Sequence, residues 1–482
     1  MIERSLALLF VLALTVFSAD STSLTARLIH YPFIDTSFNH IIFPKGDSAF
    51  SSFYAKMDSL VFHNKGQVNI LHLGGSHIQA DVISNQVRER LATEYPGKAA
   101  SRGFVFPYSA AHTNTPVSYG SGYRGKWSMT KSVVKPIQKP LGLLGIAATT
   151  SDPRAEVTIL LNKYNTKPLW FYDQVRVFGF ADSNDVIPVI QLDSISHLYG
   201  QHDSLSGSYV FNLETPRDTL ALQFLWEDTA LQDSLSRQIV MDSIYQDSIA
   251  KLIHSSSSKA SKTSKKVSSS SGASLSSSSA APEDTIPPSV YPTFTLTGIL
   301  LENDSNGISY TSIGINGAGT SAYLISENLV RDLQFIKPDL LILSIGINDA
   351  NVEYFDDRKF QDRYDTLITR IRSVSPDVAI LFTTNNDSYR KVKKRRFVTH
   401  PNGEVARKAF FSMATRYHAG VWDLFSLMGG LGSMAKWEKA SLAKKDRVHF
   451  NQTGYKLLGD LLYEALIEAY LAHVARLPAK DP

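Results

Sequence analysis

Three short segments hold the side chains that could perform acyl chemistry. Gly74-Gly75-Ser76-His77 follows a strand-like apolar run, Gly346-Ile347-Asn348-Asp349 closes a second one, and Asp446-Arg447-Val448-His449 precedes the last helical stretch. Ester hydrolysis requires a nucleophilic hydroxyl, a base, a carboxylate that orients the base, and donors for the oxyanion. Ser76, His449, Asp446 and Asn348 supply one of each, in the chain order Ser, Asn, Asp, His. A three-residue offset lets the Asp446 carboxylate bond one nitrogen of the His449 imidazole while the other faces the serine. Further donors are expected from the Ser76 amide and from Gly317 or Gly319 in Ile315-Asn316-Gly317-Ala318-Gly319-Thr320, where no Cβ obstructs approach. Each piece alone has a plainer reading. Gly-Gly-Ser also caps helices, Asp-x-x-His also decorates surfaces, Asn348 suits a turn, and the two glycines suit a tight strand-to-helix turn.

For these segments to meet, strands must deliver them to one edge of a sheet. Apolar runs predict buried strands at Val68–Leu73, Ile308–Ile315, Leu340–Ile345, Val378–Phe382 and Gly420–Leu424. Helical spacing of Ile78, Val82, Ile83, Val87 and Leu91 follows the first strand. Further helices are predicted around Ser321–Phe335, Lys359–Ser373 and Val405–Tyr417, with a long closing helix from about Thr453 to Leu477. Strands alternating with helices imply parallel β-α-β units, hence a doubly wound α/β fold with helices on both faces. Ser76 then stands where the first strand turns into its helix, above the carboxyl edge where such folds bind ligands.

Between roughly Gly125 and Ser305 the texture changes to alternating runs separated by turn residues, as in a β-sandwich. These runs are Ala155–Leu161, Val175–Phe180, Val186–Leu192, Ser208–Leu213, Thr219–Trp226 and Thr293–Leu301. A parallel sheet that starts at Val68 and resumes near Ile308 is therefore read as interrupted by an inserted β-domain. The expected organisation is residues 19–124 and 306–482 as the two parts of the α/β domain, with 125–305 as the insert. Within the insert, Glu227–Ile253 has spaced apolar residues that suit an amphipathic helix. Residues 255–281 are nearly all Ser, Lys, Ala and Gly, which predicts a disordered loop.

With 482 residues, 43% hydrophobic and 20% charged, the chain can form more than one globular unit. A formal net charge of only +4 gives no reason to expect nucleic acid as partner. The basic run Lys391-Val392-Lys393-Lys394-Arg395-Arg396 is the local exception, read as a solvated face. Arg4 ahead of an apolar stretch that closes at Ser18 and Ala19 reads as a signal peptide over residues 1–18, or alternatively as an uncleaved anchor. The stretch is short for a span of ~20 residues, and no later segment predicts stable membrane insertion. Cysteine is absent, so disulfides and cysteine metal sites are excluded. These features predict a secreted protein of a bacterial periplasm.

Taken together, the Ser76, Gly317, Asn348 and Asp446–His449 segments resemble the blocks of the SGNH (GDSL-type) hydrolases, in matching order and at matching strand ends. The resemblance implies a flavodoxin-like three-layer α/β/α domain. It also implies Ser76 as nucleophile, His449 with Asp446 as base and partner, and Gly317 (less well Gly319) and Asn348 as oxyanion donors. A narrower likeness to exported bacterial O-acetylesterases, the peptidoglycan enzymes nearest, rests on Gly-Gly-Ser-His, the Asn-Gly-Ala turn, Gly429-Gly430-Leu431-Gly432-Ser433-Met434 with Trp437, and the insert. In those relatives the insert resembles a carbohydrate-binding module. By that analogy Trp127, Trp170, Tyr172 and Trp226 could face a glycan, with core packing as the plainer role. One departure is plain: the usual Gly-Asp-Ser reads Gly74-Gly75-Ser76, so the aspartate thought to brace the site is missing.

His72, His77 and His400 are read as structural, and no His/Asp/Glu spacing suggests a metal. A serine mechanism needs no metal or cofactor. The loop Asn385-Asn386-Asp387-Ser388-Tyr389-Arg390 follows the fourth strand, and Tyr389 and Arg390 are expected to touch substrate. The expected function is removal of O-acetyl groups from an acetylated polysaccharide or peptidoglycan. Acetyl transfer to a glycan, or glycan binding with little catalysis, are the alternatives.

Overall fold

The computed structural model describes residues 24, 26–182, 186–226, 292–393 and 396–478. The signal-peptide reading of 1–18, the helix expected over Glu227–Ile253 and the Ser/Lys-rich loop 255–281 lie outside the described residues. The central element is a six-stranded sheet. Its strands in chain order are β1 Ile41–Ile42, β2 Gln67–Gly74, β3 Gly307–Gly314, β4 Leu340–Ser344, β5 Ala379–Thr383 and β6 Gly420–Trp422. They lie in the spatial order β1-β6-β5-β4-β2-β3. All neighbours are parallel except β1 on β6. The order of β2 to β6 is the flavodoxin-like doubly wound arrangement, with its switch point at β2. The antiparallel edge strand β1 was not anticipated. Two residues are too short to show a period, so only its pairing with Val421 and Trp422 reveals it.

Side chains alternate through this sheet into two cores, as a pleat requires. Leu340, Ile342, Ala379 and Leu381 join one core with the helices α1 Ser51–His63, α2 Val82–Thr93 and the closing helix Gln452–Val474. Leu341, Leu343, Ile380 and Phe382 join the other with Leu329–Ile336, Asp357–Arg372 and Asn402–Tyr417. Numbered in chain order, these last helices are α3 Leu329–Ile336, α4 Asp357–Arg372, α5 Asn402–Tyr417 and α6 Gln452–Val474. The layers are therefore α/β/α.

Two helices expected to be continuous are broken. The stretch after β2 forms a single turn, Ser76–Gln79, then bends through Asp81 at φ 52° before α2. The Asp81 carboxylate explains the bend, because it is a hub rather than a helix residue. It takes Arg88 at 3.0 Å, Arg102 at 2.8 Å and the Ser312 hydroxyl at 2.6 Å, and Ser84 and Ser118 also donate to it. Burial opposes its ionisation, yet Arg88 and Arg102 hold the carboxyl below its ordinary range. The stretch Ser321–Phe335 likewise splits into Thr320–Leu324 and α3, separated where the Ser326 hydroxyl donates to the Gly142 carbonyl of the insert.

The insert consists of two antiparallel sheets. One orders His197–Tyr199, Val186–Gln191, Thr219–Trp226, Glu156–Leu160 and Gly120–Arg124. The other orders Gln201–Asp203, Ser208–Arg217, Tyr172–Ala181, Phe294–Glu302, Ile146–Thr150 and Ser128–Lys131, with Gly103–Val105 also paired to Phe294–Glu302. In Thr219–Trp226 the residues Leu220, Leu222, Phe224 and Trp226 are buried and alternate with more exposed neighbours, the signature of a half-buried strand. The antiparallel part starts ahead of residue 125, at Gly103. Its first strands, Gly103–Val105 and Gly120–Arg124, carry too little apolar alternation to be read from sequence. The second sheet packs on α3: Phe178 meets Phe335 at 5.6 Å, the Arg176 guanidinium lies 3.9 Å over Phe335, and Leu143 N–H donates to Asp332 at 2.8 Å.

α6 lies along α2, with the Arg90 guanidinium 4.1 Å over Tyr463. In the same contact Glu464 is pushed up to about 7, first by burial and then, against the pull of Arg90, by Asp460, Glu468 and Glu94. A carboxyl raised in the folded state binds more protons there than in the unfolded chain. Its stabilising contribution is full below the unfolded value near 4.5 and is lost as pH rises through about 7. Glu464→Gln should therefore raise stability at pH 8 by on the order of 1 kcal/mol, discounted for partial exposure, and leave it little changed at pH 4. Urea denaturation at both pH values checks this; an equal effect at pH 4 and pH 8 would refute it.

Candidate active site

The carboxyl ends of β2, β3 and β4 lie side by side, and each runs into one of the expected segments. β2 ends at Gly74, where an added Cβ would strike Ile78 Cγ1 at 2.2 Å and approach the Ser344 carbonyl to 3.2 Å. That closeness requires glycine and lets the chain turn at once into the Ser76–Gln79 helical turn. The Tyr323 hydroxyl donates to the Gly74 carbonyl at 2.6 Å and to Ile313 O at 3.2 Å, tying the ends of β2 and β3 together. The Tyr364 hydroxyl does the same for Ile345, just before Asn348, at 2.5 Å.

Ser76 Oγ lies 2.8 Å from His449 Nε2, although 373 positions separate them. His449 Nδ1 lies 3.0 Å from Asp446 Oδ2, and Asp446 Oδ1 accepts the amides of Val448 and His449, each at 2.9 Å. Burial would raise the Asp446 carboxyl, but these amide donors and the imidazole outweigh it and hold the group below its ordinary range. The carboxylate is thus kept ionised and aimed at Nδ1, which leaves Nε2 for the hydroxyl.

The loop bearing these residues is tied on several sides. Lys444 N–H donates to the His449 carbonyl at 2.8 Å, and Tyr389 N–H to the Arg447 carbonyl at 3.1 Å. Asn386 Nδ2 donates to the Val448 carbonyl at 3.0 Å, and Arg447 Nε to Glu438 at 2.6 Å. Asn451 then caps α6, accepting Gly454 N–H at 3.0 Å. Asn386 was not anticipated as a site residue. A single Asn in an Asn-Asn-Asp run carries no signal until its partner loop is placed.

Possible oxyanion donors gather above Ser76. The N–H groups of Ser76 and Gly317 donate to no described carbonyl or side chain. Gly317 sits at φ 81° with open space around its α-carbon, so its amide is reachable. Gly319 serves differently: a Cβ there would meet the Asp349 carboxylate at 2.6 Å. Asp349 accepts Thr320 N–H at 2.9 Å and the Thr320 hydroxyl at 2.8 Å, which locks the Gly317 loop to the Asn348 loop. Asn348 Nδ2 donates one hydrogen to Ala318 O at 2.9 Å, and its NH2 group has a second to offer.

Other expected residues take different places. The Tyr389 hydroxyl is committed to the Gly432 carbonyl at 3.2 Å, and its ring carries the Arg447 guanidinium at 5.0 Å, so Tyr389 braces the loop of His449. Arg390 reaches toward Glu353 at 3.9 Å. His72 is buried between Tyr310 at 2.7 Å and Ser344 at 2.6 Å, and burial lowers it to about 3. His77 lies 5.1 Å from His449, centroid to centroid, and takes the Tyr455 hydroxyl at Nδ1, 2.9 Å away. Burial, followed by the neighbouring His449, lowers His77 to about 3, so it stays neutral beside the His449 imidazole. His400 is buried, and burial lowers it. Trp127, Trp170, Tyr172 and Trp226 are all buried in the insert's core, Trp170 with an edge on the groove beside α2. Among the described residues no group of three His, Asp or Glu side chains could hold a metal ion, and no helix is long and apolar enough to cross a membrane.

The profile of the GDSL-like lipase/acylhydrolase family matches residues 296–457, which include Gly317, Asn348, Asp446 and His449 but not Ser76. No curated protein matches the chain. Among solved structures, a peptidoglycan O-acetylesterase superposes with a TM-score of 0.63 at 19% identity, covering 89% of this chain and 98% of that one. An acetyl xylan esterase overlaps 33% of this chain and 80% of its own, at 20% identity and a TM-score of 0.26. A GDSL-like lipase from Bacteroides thetaiotaomicron VPI-5482 overlaps 33% of this chain and 76% of its own, at 15% identity and a TM-score of 0.25. The first of these shares the fold along nearly the whole chain, insert included.

Because Asn386 Nδ2 is the side-chain donor that holds Val448, Asn386→Ala should let the loop of His449 drift. The expected result is a loss of about tenfold in kcat on p-nitrophenyl acetate, since a buried polar group left unpaired costs about 1–3 kcal/mol. Steady-state kinetics check this, and an unaltered kcat would show that the loop is held without it.

Proposed function

We propose that this chain, whose residues 296–457 match the profile of the GDSL-like lipase/acylhydrolase family, is an exported esterase that removes O-acetyl groups from a polysaccharide through Ser76, His449 and Asp446. The observation that carries this reading is the 2.8 Å contact between Ser76 Oγ and His449 Nε2, with Asp446 bonded behind the ring. His449 takes the Ser76 proton as Oγ attacks the acetyl carbonyl. The Ser76 and Gly317 amides and the free hydrogen on Asn348 Nδ2 stabilise the oxyanion. The imidazolium then gives its proton to the departing sugar oxygen, leaving an acetyl ester on Ser76. Water, deprotonated by the same imidazole, releases acetate and restores the serine.

The substrate class is taken from the peptidoglycan O-acetylesterase that shares this architecture, and an acetylated cell-wall or extracellular glycan is the proposed target. Export rests on the charged and apolar pattern of residues 1–18, and the periplasm is the proposed compartment.

Ser76→Ala should abolish acetate release from O-acetylated peptidoglycan and from p-nitrophenyl acetate while leaving the melting temperature close to native. Asn348→Ala should lower kcat by about 100-fold, the scale of one lost oxyanion donor. Acetate quantified by an enzymatic assay or mass spectrometry checks both. Full activity of the Ser76→Ala protein would overturn the mechanism.

A further inference from the structure

A groove of about 910 Å³ runs between the insert and the α/β core, beside the loop that carries His449. One wall is the insert's loop from Leu161 to Trp170; the other is α2 between Val82 and Glu89 together with the first turn of α6. Phe450 and Tyr455 line it as well. Phe450 directly follows His449, and Tyr455 is the residue whose hydroxyl meets His77, next to Ser76. Ser76 and His449 do not themselves line the groove; the site is approached by Phe450, which adjoins His449 in the chain, and by Tyr455, which touches the neighbour of Ser76.

The insert wall is held in shape. Asn162 closes its base with two hydrogen bonds to the backbone of Trp170, donating to the carbonyl at 3.0 Å and accepting the amide at 2.9 Å. Asn165 N–H returns to the Asn162 carbonyl at 2.9 Å, and the Trp170 side chain anchors the far end in the core. The turn so formed carries Tyr164 outward, 69% exposed, with the Lys163 ammonium 4.8 Å from its ring.

The lining chemistry is specific in kind. Asn165 and Gln452 offer amides, and Gln86, whose Nε2 donates to Asp460 at 2.8 Å, adds its carbonyl. Lys167, Lys444 and Lys456 are exposed and form no ion pair with a carboxylate among the described residues. The one carboxylate lining the groove, Glu89, accepts a hydrogen bond from Asn85 at 2.8 Å. Amides suit hydroxyl-rich ligands, a flat ring suits the apolar face of a sugar, and three lysines against one glutamate favour anions. The volume lies at the upper end of the roughly 300–1,000 Å³ of ordinary small-ligand sites, which leaves room for several sugar rings.

We propose that this groove binds a carboxylate-bearing polysaccharide chain and delivers its acetylated residue to Ser76, with Tyr164 as stacking platform and Lys167, Lys444 and Lys456 as partners for the carboxylates. The proposal rests on the esterase reading for the acetyl group but not for binding itself. Calorimetric titration of the full-length Ser76→Ala protein separates the two. The ligands are O-acetylated polygalacturonate and, as neutral control, O-acetylated xylan of matched length. The acidic polymer should bind about tenfold more tightly at low salt, with the advantage lost at 0.5 M NaCl. Combining Lys167→Gln with Lys456→Gln should weaken the acidic polymer about tenfold and the neutral one little, Lys456→Glu should weaken it further, and Tyr164→Ala should weaken both polymers. Equal affinity for the two polymers, or no response to the lysine changes in variants with native melting temperatures, would overturn the groove's role. Acetate release by the native protein, followed in parallel, tests the esterase reading separately, since binding by the Ser76→Ala protein requires no turnover.

Discussion

One hydrogen bond sets the demands on the rest of the molecule: 2.8 Å between a hydroxyl at position 76 and an imidazole at position 449. A loop that long cannot be held by its two ends, since closing it costs entropy that a single bond of about 1 kcal/mol does not offset. The parallel sheet solves the problem by fixing both ends independently. β2 pairs with β3 across eight register positions and with β4 across five, which places the ends of three strands together whatever lies between them. On the far side, the loop of His449 is held from β5 by Asn386 and capped into α6 by Asn451. The geometry of the Ser76–His449–Asp446 contacts is therefore a property of the sheet edge, and the side chains themselves add only the final positioning.

The insert fits the same logic. It leaves the α/β domain after α2, which returns the chain across the sheet, and comes back at β3, where Ala99 bridges Ile308, so its entry and exit are close and the sheet tolerates the interruption. It is not loosely tethered. Asp81, buried where the chain bends beyond Ser76, binds Arg102 on the way into the insert and Ser312 on β3 after its return. A buried carboxylate with two arginines is costly to form, and its value lies in specifying geometry more than in net stability. Here it fixes the orientation of the segment between Ser76 and α2 against both ends of the insert. The contacts of Phe178 and Arg176 with Phe335 hold the second sheet on α3. A glycan lying in the groove between the insert and α2 would thus meet two walls that are already in place, which lowers the ordering cost of binding.

Much of this was legible in the sequence, and the reasons are local. β4 and β5 are continuous apolar runs because both faces are buried, and Thr219–Trp226 alternates because the strand is only half-buried. Ser76, Asn348 and His449 could be picked out because each lies at an element boundary beside glycine, aspartate or asparagine. What escaped depends on partners distant in sequence. β1 is two residues long, and Gly120–Arg124 has no alternation, so neither has a periodic signal. The break at Asp81 follows from arginines 7 and 21 positions away. The insert's aromatics Trp127, Trp170, Tyr172 and Trp226 could face a glycan only by analogy with relatives, and burial bears out their plainer role in the core; Tyr164, a single tyrosine in a polar turn, is an exposed ring with no periodic signal.

Gly75 is the departure that most affects the chemistry, and the surrounding contacts explain how the site stays ordered without an aspartate. A Cβ at position 75 would stand 3.3 Å from Asn348 Nδ2 and 3.4 Å from the Ala318 carbonyl. That carbonyl already holds the Asn348 amide at 2.9 Å, so its orientation needs no carboxylate from position 75. Tyr323 holds the strand end from which Ser76 projects, and Asp349, bound to Thr320, joins the two loops that flank it. The bracing is thus spread over a backbone carbonyl, a phenol and a carboxylate set one residue beyond Asn348. Charge argues in the same direction. A carboxylate about 5 Å from a developing oxyanion would oppose it by about 3 kcal/mol at an effective dielectric of 20, whereas a neutral carbonyl accepting from Asn348 polarises the same amide with far less repulsion. Gly75 therefore leaves no negative charge beside Asn348, and the contacts among Ser76, His449 and Asp446 stay ordered without it.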